Sequence, residues 1–466
     1  MTLTDLSFIA PDQPWPPEDN DEADRLKEHE FNRAIYNNQH EVFSKYALYL
    51  RDKADDDKKI AIILGWGEKA TSNYINLCIG EEPDVEIDDV DAVEERPDEE
   101  VLIDASRYGL GLYEVTQDGI FAQNPGTCYL VNAPGNIRKI THYVFFNEFK
   151  ADKRDFVKFT IHGKGSIQHL IYEVNDKKLG EKQDLAAYPA YAGLQVDQKT
   201  GIQKTGVDDI LVVRLDNALS SERRYGRSDY TPSVCSLIEA LELAFSRREE
   251  VLAKFSRPVF QAPESAFNHF NHAKQVWEIR LDEPIFLEPG SMKAEYLTWQ
   301  AELGAVENAI KDKMDQLLQM LDLVKQEELG QATSGTALAF RLLPTRARVR
   351  KFATGLKKAI PKVLSLKSKL DVALHVPDAK AIEPSQVSVT MQDGVPRDPL
   401  QEATWATLAF QNNGMSLETY VSITQGLEMS DDPKSALQKE VARIKSSRPA
   451  AIEEPEPVAL DDGMNV

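Results

Sequence analysis

The sequence is 466 residues long, 42% hydrophobic and strongly acidic, with a formal net charge of −22. This length exceeds one ordinary hydrophobic core, so a segmented or multidomain architecture is expected. The negative charge argues against a protein that coats DNA without sequence preference, because such affinity comes mostly from lysine and arginine on phosphates. Three widely spaced cysteines exclude a disulfide framework and a CxxC metal pair.

The N-terminal part of the chain predicts an arm followed by helices. Residues 1–24 are acidic and proline-rich, and we expect a flexible arm there. They lack the pattern of a signal peptide, and no apolar run in the chain suffices for a bilayer span, so we expect a soluble protein made in the cytoplasm. Helical periodicity follows over residues 22–53 and 59–79. Residues 81–100, with twelve acidic residues and one basic residue, form either a solvated loop or a negatively charged functional surface.

Short β-rich runs then occupy residues 110–214. Glycine, asparagine and aspartate separate these runs, as turns require. The clearest runs are residues 111–115, 141–146, 156–161, 169–174 and 210–214. Together with the flanking helices they predict an α+β fold with a largely antiparallel sheet.

Two long helices are predicted next, separated by an irregular piece. Thr231 is a good N-cap and Pro232 a good first helical residue, so the first helix is expected over residues 231–256. Residues 257–291 contain several prolines, and residues 292–328 then predict a second helix roughly 55 Å long. Its apolar stripe is nearly a heptad seam: Leu303, Val306, Ile310, Met314, Leu317 and Leu321. This stripe is buried either in an ordinary internal hairpin or partly by neighbouring subunits.

A basic helical stretch follows, in which residues 329–370 contain no aspartate or glutamate. Pro344, Gly355 and Pro361 are expected to bend or break this helix. Its candidate contact residues are Arg341, Arg346, Arg348, Arg350, Lys351, Lys357 and Lys358. Three interpretations stay open: packing against acidic surfaces of the same or a neighbouring subunit, contact with DNA phosphate, or a solvated face.

Motifs for enzymatic chemistry are absent from the sequence. The run GKGS at residues 163–166 lacks the upstream glycine of an ATP-binding loop, and there is no HExxH, GxSxG or kinase signature. His269 and His272 are one helical turn apart, but no third metal ligand is signalled, and hydrogen bonding at a surface is the favoured interpretation. We therefore expect neither an enzyme nor a cofactor.

Five short motifs occur in a particular order along the chain. They are YINLCIG at 74–80, DASRYGLG at 104–111, YGRSDY at 225–230, TSGTALAF at 333–340 and GVPRD at 394–398. In this order they resemble the portal proteins of tailed bacteriophages, and more narrowly the portals of long-tailed Bacillus phages. The resemblance extends over residues 26–444.

The resemblance implies a division of the chain into the parts of a portal subunit. The wing would comprise residues 25–230 and 336–395, the stem helices 231–256 and 292–328, the tunnel loop 329–335, the crown 396–447, and a disordered tail 448–466. The clip would be residues 257–291, with docking residues Pro263, His269, His272 and Trp277. The tunnel loop would present Gln331, Ala332, Thr333 and Ser334 to the channel.

The resemblance also implies a role. Subunits would form a closed ring, dodecameric in virions, at the capsid vertex through which double-stranded DNA is packaged and ejected. The expected partners are the terminase large subunit, a head-completion or adaptor protein, and the major capsid and scaffolding proteins, with no membrane involved. The alternative is a non-portal virion scaffold or DNA-associated structural protein that uses the basic helix at residues 341–369.

Overall fold

The computed structural model describes most of the chain. The described residues are 2–18, 20–43, 45, 47–48, 61–80, 82–87, 95–188, 191, 196–197, 199–255, 259–261, 263, 269–271, 275–278, 295–297, 303–325, 335–391, 399–411, 416–417, 419–421, 437–439 and 441–444. The chain divides into two compact units. The first comprises Met1–Glu328 and Leu342–Gly394, and the second comprises Leu329–Arg341 and Val395–Val466.

The described α-helices belong to both compact units. They are α1 Asp21–Tyr36, α2 Trp66–Ile79, α3 Asp98–Tyr108, α4 Pro232–Phe255, α5 Leu303–Met320 and α7 Leu343–Ala373, with α6 Gly335–Arg341 and α8 Pro399–Gln411 in the second unit. None of these described helices combines the length and the apolar composition that a membrane span requires.

The strands form one large sheet and several small ones. Their bounds are β1 Asp84–Ile87, β2 Leu110–Thr116, β3 Gly119–Gln123, β4 Cys128–Ala133, β5 Asn136–Ala151, β6 Arg154–Gly163, β7 Ser166–Asn175, β8 Lys178–Gln183, β9 Ile202–Lys204, β10 Val212–Asp216, β11 Val259–Gln261, β12 His269–Asn271, β13 Val276–Glu278, β14 Glu295–Leu297 and β15 Val387–Thr390. The largest sheet has the order β4-β5-β6-β7-β8, with β9 also on β7, and a second sheet has the order β10-β2-β3. Small sheets pair β1 with β15, β11 with β14 and β12 with β13. All the described pairs are antiparallel, which confirms the expected α+β class.

Tight turns set the register of the large sheet. Asp152 and Lys153 join β5 to β6 with φ values of 50° and 64°, and Asp176 and Lys177 join β7 to β8 with φ values of 48° and 59°. Two successive left-handed residues are the geometry of a type I′ turn, whose twist matches that of the flanking strands. Aspartate tolerates this conformation better than most residues, so the chain reverses there without slipping in register.

One hydrophobic core joins the long helices to the smaller sheet. Leu102 of α3, Leu241 of α4, Leu317 of α5 and Leu356 of α7 are fully buried in the same cluster. The two long helices pack mainly against each other, and buried residues of both belong to this cluster.

The N-terminal segment corrects the prediction of a flexible arm over residues 1–24. Phe8 and Trp15 are buried against the large sheet, and the Trp15 indole packs edge-on to Phe159 with ring centroids 4.9 Å apart. The indole Nε1–H donates a hydrogen bond of 2.8 Å to Glu148 Oε1. Composition alone suggested disorder, whereas a few apolar side chains suffice to dock the segment once a sheet face is available.

Several helices differ from their predicted extents. The second long helix, expected over 292–328, is the 18-residue α5, about 27 Å long. Strand β14 precedes it, and Asp322, with φ of 54°, lies in the turn after it. The expected helical region 22–53 is interrupted, since α1 ends at Tyr36 and helical backbone recurs at Lys45, Ala47 and Leu48, and α2 begins at Trp66.

Helix α7 corrects the expectation of a break at proline or glycine. Pro344 lies in its first turn, where the missing N–H has no intrahelical partner to lose. The helix continues through Gly355 and Pro361 to Ala373. Both residues lie on a packed face of the helix. Tertiary contacts there offset the low helix propensity of glycine and proline.

Candidate functional site

The YGRSDY segment forms a buried polar junction between β10 and α4. Asp229, 2% exposed, accepts hydrogen bonds from Ser106 Oγ at 2.8 Å and from Asn217 Nδ2 at 2.7 Å. The Asp229 backbone N–H donates to the Ser106 carbonyl oxygen at 2.9 Å. Ser106 belongs to the DASRYGLG motif, so two motifs distant in sequence meet at one carboxylate.

Two glycines allow the chain segments of this junction to approach closely. A Cβ atom on Gly226 would lie 2.1 Å from the Asn217 carbonyl oxygen and 2.2 Å from that of Gly109. Gly109 ends α3 in the left-handed region, with φ of 81°. Both positions therefore require glycine. Gly226 leaves space for the neighbouring backbone, and Gly109 mainly allows the left-handed conformation.

A second buried charge cluster fixes α1 against the sheet. Arg25 and Glu22, both with fully buried side chains, form an ion pair of 2.9 Å, and Arg224 Nη2 lies 3.3 Å from the same carboxylate. Arg25 Nη1 also donates to the Pro125 carbonyl oxygen at 3.0 Å. Since Arg224 immediately precedes Tyr225, this cluster continues directly into the YGRSDY junction.

Arg348 of α7 connects the junction to both long helices. Its guanidinium forms an ion pair with Asp229, two residues before Thr231, and its Nη1 lies 3.8 Å from Asp322 Oδ2. It also lies over the Tyr74 ring, 5.3 Å from the centroid. Burial raises the pKa of Asp229, and the neighbouring Arg348 charge opposes that rise.

Two hydrogen bonds complete this arrangement at the end of α5. The Tyr74 hydroxyl donates to the Leu321 carbonyl oxygen, and the Thr345 hydroxyl donates to that of Asp322. The start of α4 and the end of α5 are thus held at one place by α2 and α7. We call this set of contacts the helix root.

The structure separates the predicted basic contact residues into three groups. Arg348 lies in the helix root, where it pairs with acidic residues of its own subunit, in line with the first of the three interpretations. Arg346 is half-buried, whereas the remaining α7 residues are exposed: Arg350, Lys351, Lys357 and Lys358. Arg341 is half-buried at the end of α6 in the second unit. Helical periodicity did not distinguish Arg348 from its neighbours, because the sequence alone does not show which side of the helix faces the core.

The predicted stem residues also occupy different environments. Ile310, Leu317 and Leu321 are buried within the protomer, and Met314 packs partly buried against the same cluster. Val306 is 40% exposed. Leu303 begins α5, and its side chain lies outside the described residues.

The predicted clip and tunnel residues are only partly described. His269 lies on strand β12, not on a helix, so the one-turn spacing to His272 does not apply, and His272 lies outside the described residues. Trp277 on β13 is 59% exposed and packs edge-on to Phe270 with centroids 5.3 Å apart. Pro263 is half-buried in a connection. The tunnel residues Gln331, Ala332, Thr333 and Ser334 lie outside the described residues.

The helix root contains residues that sequence reasoning missed as a group. Tyr74, Ser106 and Asp229 each occur in a quoted motif, but no local pattern indicated that they meet. Asn217 and Asp322 carry no motif at all. Only the tertiary arrangement of α2, α3, α5 and α7 brings them to one cluster.

One family model matches this chain. The family described as "Phage portal protein, SPP1 Gp6-like" matches residues 170–454, more than half of the chain. No curated protein matches. Among solved structures, a chain of "Neck of native GTA particle computed with C12 symmetry" is similar at 11% identity with a TM-score of 0.40, over 77% of this chain and 89% of that chain. The family match includes the YGRSDY junction and helices α4, α5 and α7.

Proposed function

This chain belongs to the SPP1 Gp6-like family of phage portal proteins, and from that premise we propose that it forms the DNA channel at one vertex of a phage capsid. The observation that carries the proposal is the family match over residues 170–454. Those residues contain both long helices, the connection between them and the basic helix α7. The protein is then a component of the virion, assembled in the host cytoplasm.

Ring formation accounts for the apolar surface of α5. Ile310 and Leu317 are buried in the protomer, whereas Val306 and Met320 are 40% and 50% exposed. In a ring, a neighbouring subunit would cover these two exposed apolar side chains. We assign α4 and α5 to the stem, with neighbouring subunits covering the open part and twelve subunits closing the ring.

Passage of DNA would depend on geometry and electrostatics. A closed ring gives the duplex no lateral exit, and a subunit with a net charge of −22 presents few places that hold phosphate. The uncharged residues 331–334 would lie closest to the duplex as the tunnel loop and limit backward slippage. The sequence has no ATP-binding loop, so the terminase large subunit would supply ATP hydrolysis.

The remaining parts of the chain are assigned to partner contacts. Residues 257–291, including the exposed Trp277, would form the clip that docks the terminase and later the head-completion adaptor. The wing, residues 25–230 and 336–395, would face the major capsid and scaffolding proteins. Residues 396–447 would form a crown that opens toward the packaged genome.

Electron microscopy of the purified full-length protein, with the mass measured on the same sample, tests this proposal. We expect rings with a central channel and a mass of about a dozen subunits, since closed rotational symmetry sets the number of copies. A monomer or dimer at micromolar concentration and at every salt concentration tried would overturn the proposal.

One observation favours a second candidate, a DNA-associated scaffold that uses the basic helix. Arg350, Lys351, Lys357 and Lys358 are exposed on α7, and an exposed row of cations gives sequence-independent affinity for phosphate. Replacing Lys351, Lys357 and Lys358 with glutamine would remove salt-dependent DNA binding if the scaffold function is correct. A portal would show little such binding before or after the change.

A further inference from the structure

The exposed side of α7 carries a row of cations that form no ion pair with any described residue. Arg350, Lys351, Lys357, Lys358 and Lys362 lie at helical spacings on its outer side, and all five are exposed. Among the described residues, no carboxylate lies within ion-pair distance of any of them. We call these five residues the cationic face. At 1.5 Å per residue it extends roughly 18 Å along the helix.

The cationic face borders a cavity that could receive the side chains of a bound surface. The cavity, of about 230 Å³, is lined by Arg350 and Lys357 together with Arg346 from the same helix. Leu77 and Cys78 of α2 and Met391 after β15 form its apolar part. A carboxylate entering it would meet cations on one side and keep its stem against apolar atoms.

The same chain carries exposed acidic residues at β1 and at the start of α3. Glu82 and Asp84 on and before β1, and Glu95, Glu99 and Glu100 before and within the first turn of α3, are all exposed. Within the described residues none of these five carboxylates forms an ion pair. We call them the acidic face. Although β1 pairs with β15 close to Met391, the two faces form no ion pair with each other in one protomer.

Subunits in a closed ring with more than two members meet through two different faces, because a heterologous interface joins unlike surfaces of identical chains. Positive charge placed at an interface reduces the repulsion between subunits that each carry a net charge of −22. The cationic face supplies such positive charge, and the acidic face is its complement.

We propose that the cationic face of α7 docks the acidic face of β1 and α3 from the neighbouring copy of this chain. This inference rests on the proposed ring. It adds the two surfaces through which the wings of neighbouring subunits would contact each other. We assign the cationic face to a second copy and not to nucleic acid. The chain is strongly acidic, so contact between copies needs positive charge opposite negative charge.

Charge reversal on each face, separately and together, tests the pairing. The first variant combines Arg350→Glu, Lys357→Glu and Lys358→Glu, and the second combines Glu82→Lys, Asp84→Lys and Glu95→Lys. Each should reduce the ring fraction at least about tenfold at roughly 0.15 M salt, measured by sedimentation and electron microscopy. The variant with all six changes should recover rings, because the sign of both faces is exchanged.

A matched control changes the same charge elsewhere. Lys153→Glu, Lys177→Glu and Lys199→Glu alter three exposed lysines of the sheet region and should leave the ring fraction unchanged. Circular dichroism of the dispersed subunits checks that the reversed variants fold. Should the glutamate variant unfold, the corresponding glutamine variant is expected to form fewer rings with a weaker dependence on salt.

Several outcomes overturn the proposal without affecting the portal assignment. If the first variant forms rings as abundantly as the wild type, the cationic face is not at an interface. Failure of the six-change variant to recover rings would show that the two faces are not partners. If the first variant forms normal rings but loses DNA binding, the cationic face binds nucleic acid. If the wild-type protein forms no rings, the proposed function itself is contradicted.

Discussion

Asp229 and Arg348, 119 residues apart in sequence, form a largely buried ion pair that holds the first long helix to α7. Asp229 lies just before α4, and Arg348 also approaches Asp322 just after α5. The pair thus fixes the near ends of both helices relative to each other.

Replacing Arg348 with methionine should destabilise the subunit strongly. Methionine keeps much of the apolar stem but leaves Asp229 buried without its countercharge, at a cost of about 3–5 kcal/mol. Urea unfolding of dispersed subunits measures the change. Arg350→Met, on the exposed side of the same helix, is the control and should stay within about 0.5 kcal/mol of wild type. Equal stability of the two variants would contradict a structural role for the pair.

Asp104 should make the stability depend on pH. Burial raises the pKa of this carboxyl to about 6, although Arg107 lies 2.7 Å away. The folded state therefore binds the proton more tightly than the unfolded chain, so the contribution is present at low pH and lost as pH rises through about 6. Relative to Asp104→Asn, the wild-type free energy of unfolding should fall by about 2–3 kcal/mol between about pH 4 and pH 7.5. A difference that does not change with pH would contradict this assignment.

Val306→Asp should prevent ring assembly while preserving the folded subunit. Val306 is 40% exposed in the protomer, so a carboxylate there remains hydrated until a neighbour covers it. Sedimentation should show folded monomers, with the free energy of unfolding within about 0.5 kcal/mol of wild type. Leu317→Ala should behave oppositely, because Leu317 is fully buried and its truncation costs the subunit about 2–5 kcal/mol. If Val306→Asp forms normal rings, the exposed side of α5 is not part of the subunit interface.

Trp15→Ala should destabilise the first unit by about 3–5 kcal/mol, because it removes a buried aromatic side chain. Trp15 is 3% exposed and hydrogen-bonded to Glu148, whereas Trp277 is 59% exposed. Trp277→Ala is therefore the control and should change the midpoint of urea unfolding very little. If both variants unfold like the wild type, the N-terminal segment contributes nothing to the core.

Gly226→Ala should disrupt the YGRSDY junction. The added methyl group would lie 2.1 Å from the Asn217 carbonyl oxygen, and this backbone cannot move without breaking the bonds to Asp229. We expect a loss of about 3 kcal/mol or more in unfolding free energy. Gly304→Ala in α5, where an added Cβ meets nothing within 4 Å, should instead stabilise by up to about 1 kcal/mol. A tolerated Gly226→Ala would show that the junction is loosely packed.

The sequence by itself determined the class of the fold and the position of its clearest elements. Local signals were sufficient for α4, whose start at Pro232 follows from the capping residue and the first-turn proline. Alternating apolar residues and Asp-containing turns likewise predicted the antiparallel strands. The order of short motifs pointed to the portal family, which the match over residues 170–454 confirms, while the narrower subfamily stays a prediction.

Only the tertiary structure decided which charged and apolar residues face inward. Arg348 and Arg350 are indistinguishable by composition, yet one is paired with Asp229 and the other is exposed. Likewise, the proline-rich segment around Trp15 docks because the sheet offers a face that no local pattern contains. Periodicity specifies that a helix has two sides, but the direction of burial depends on contacts between residues far apart in sequence, and these exist only once the chain has folded.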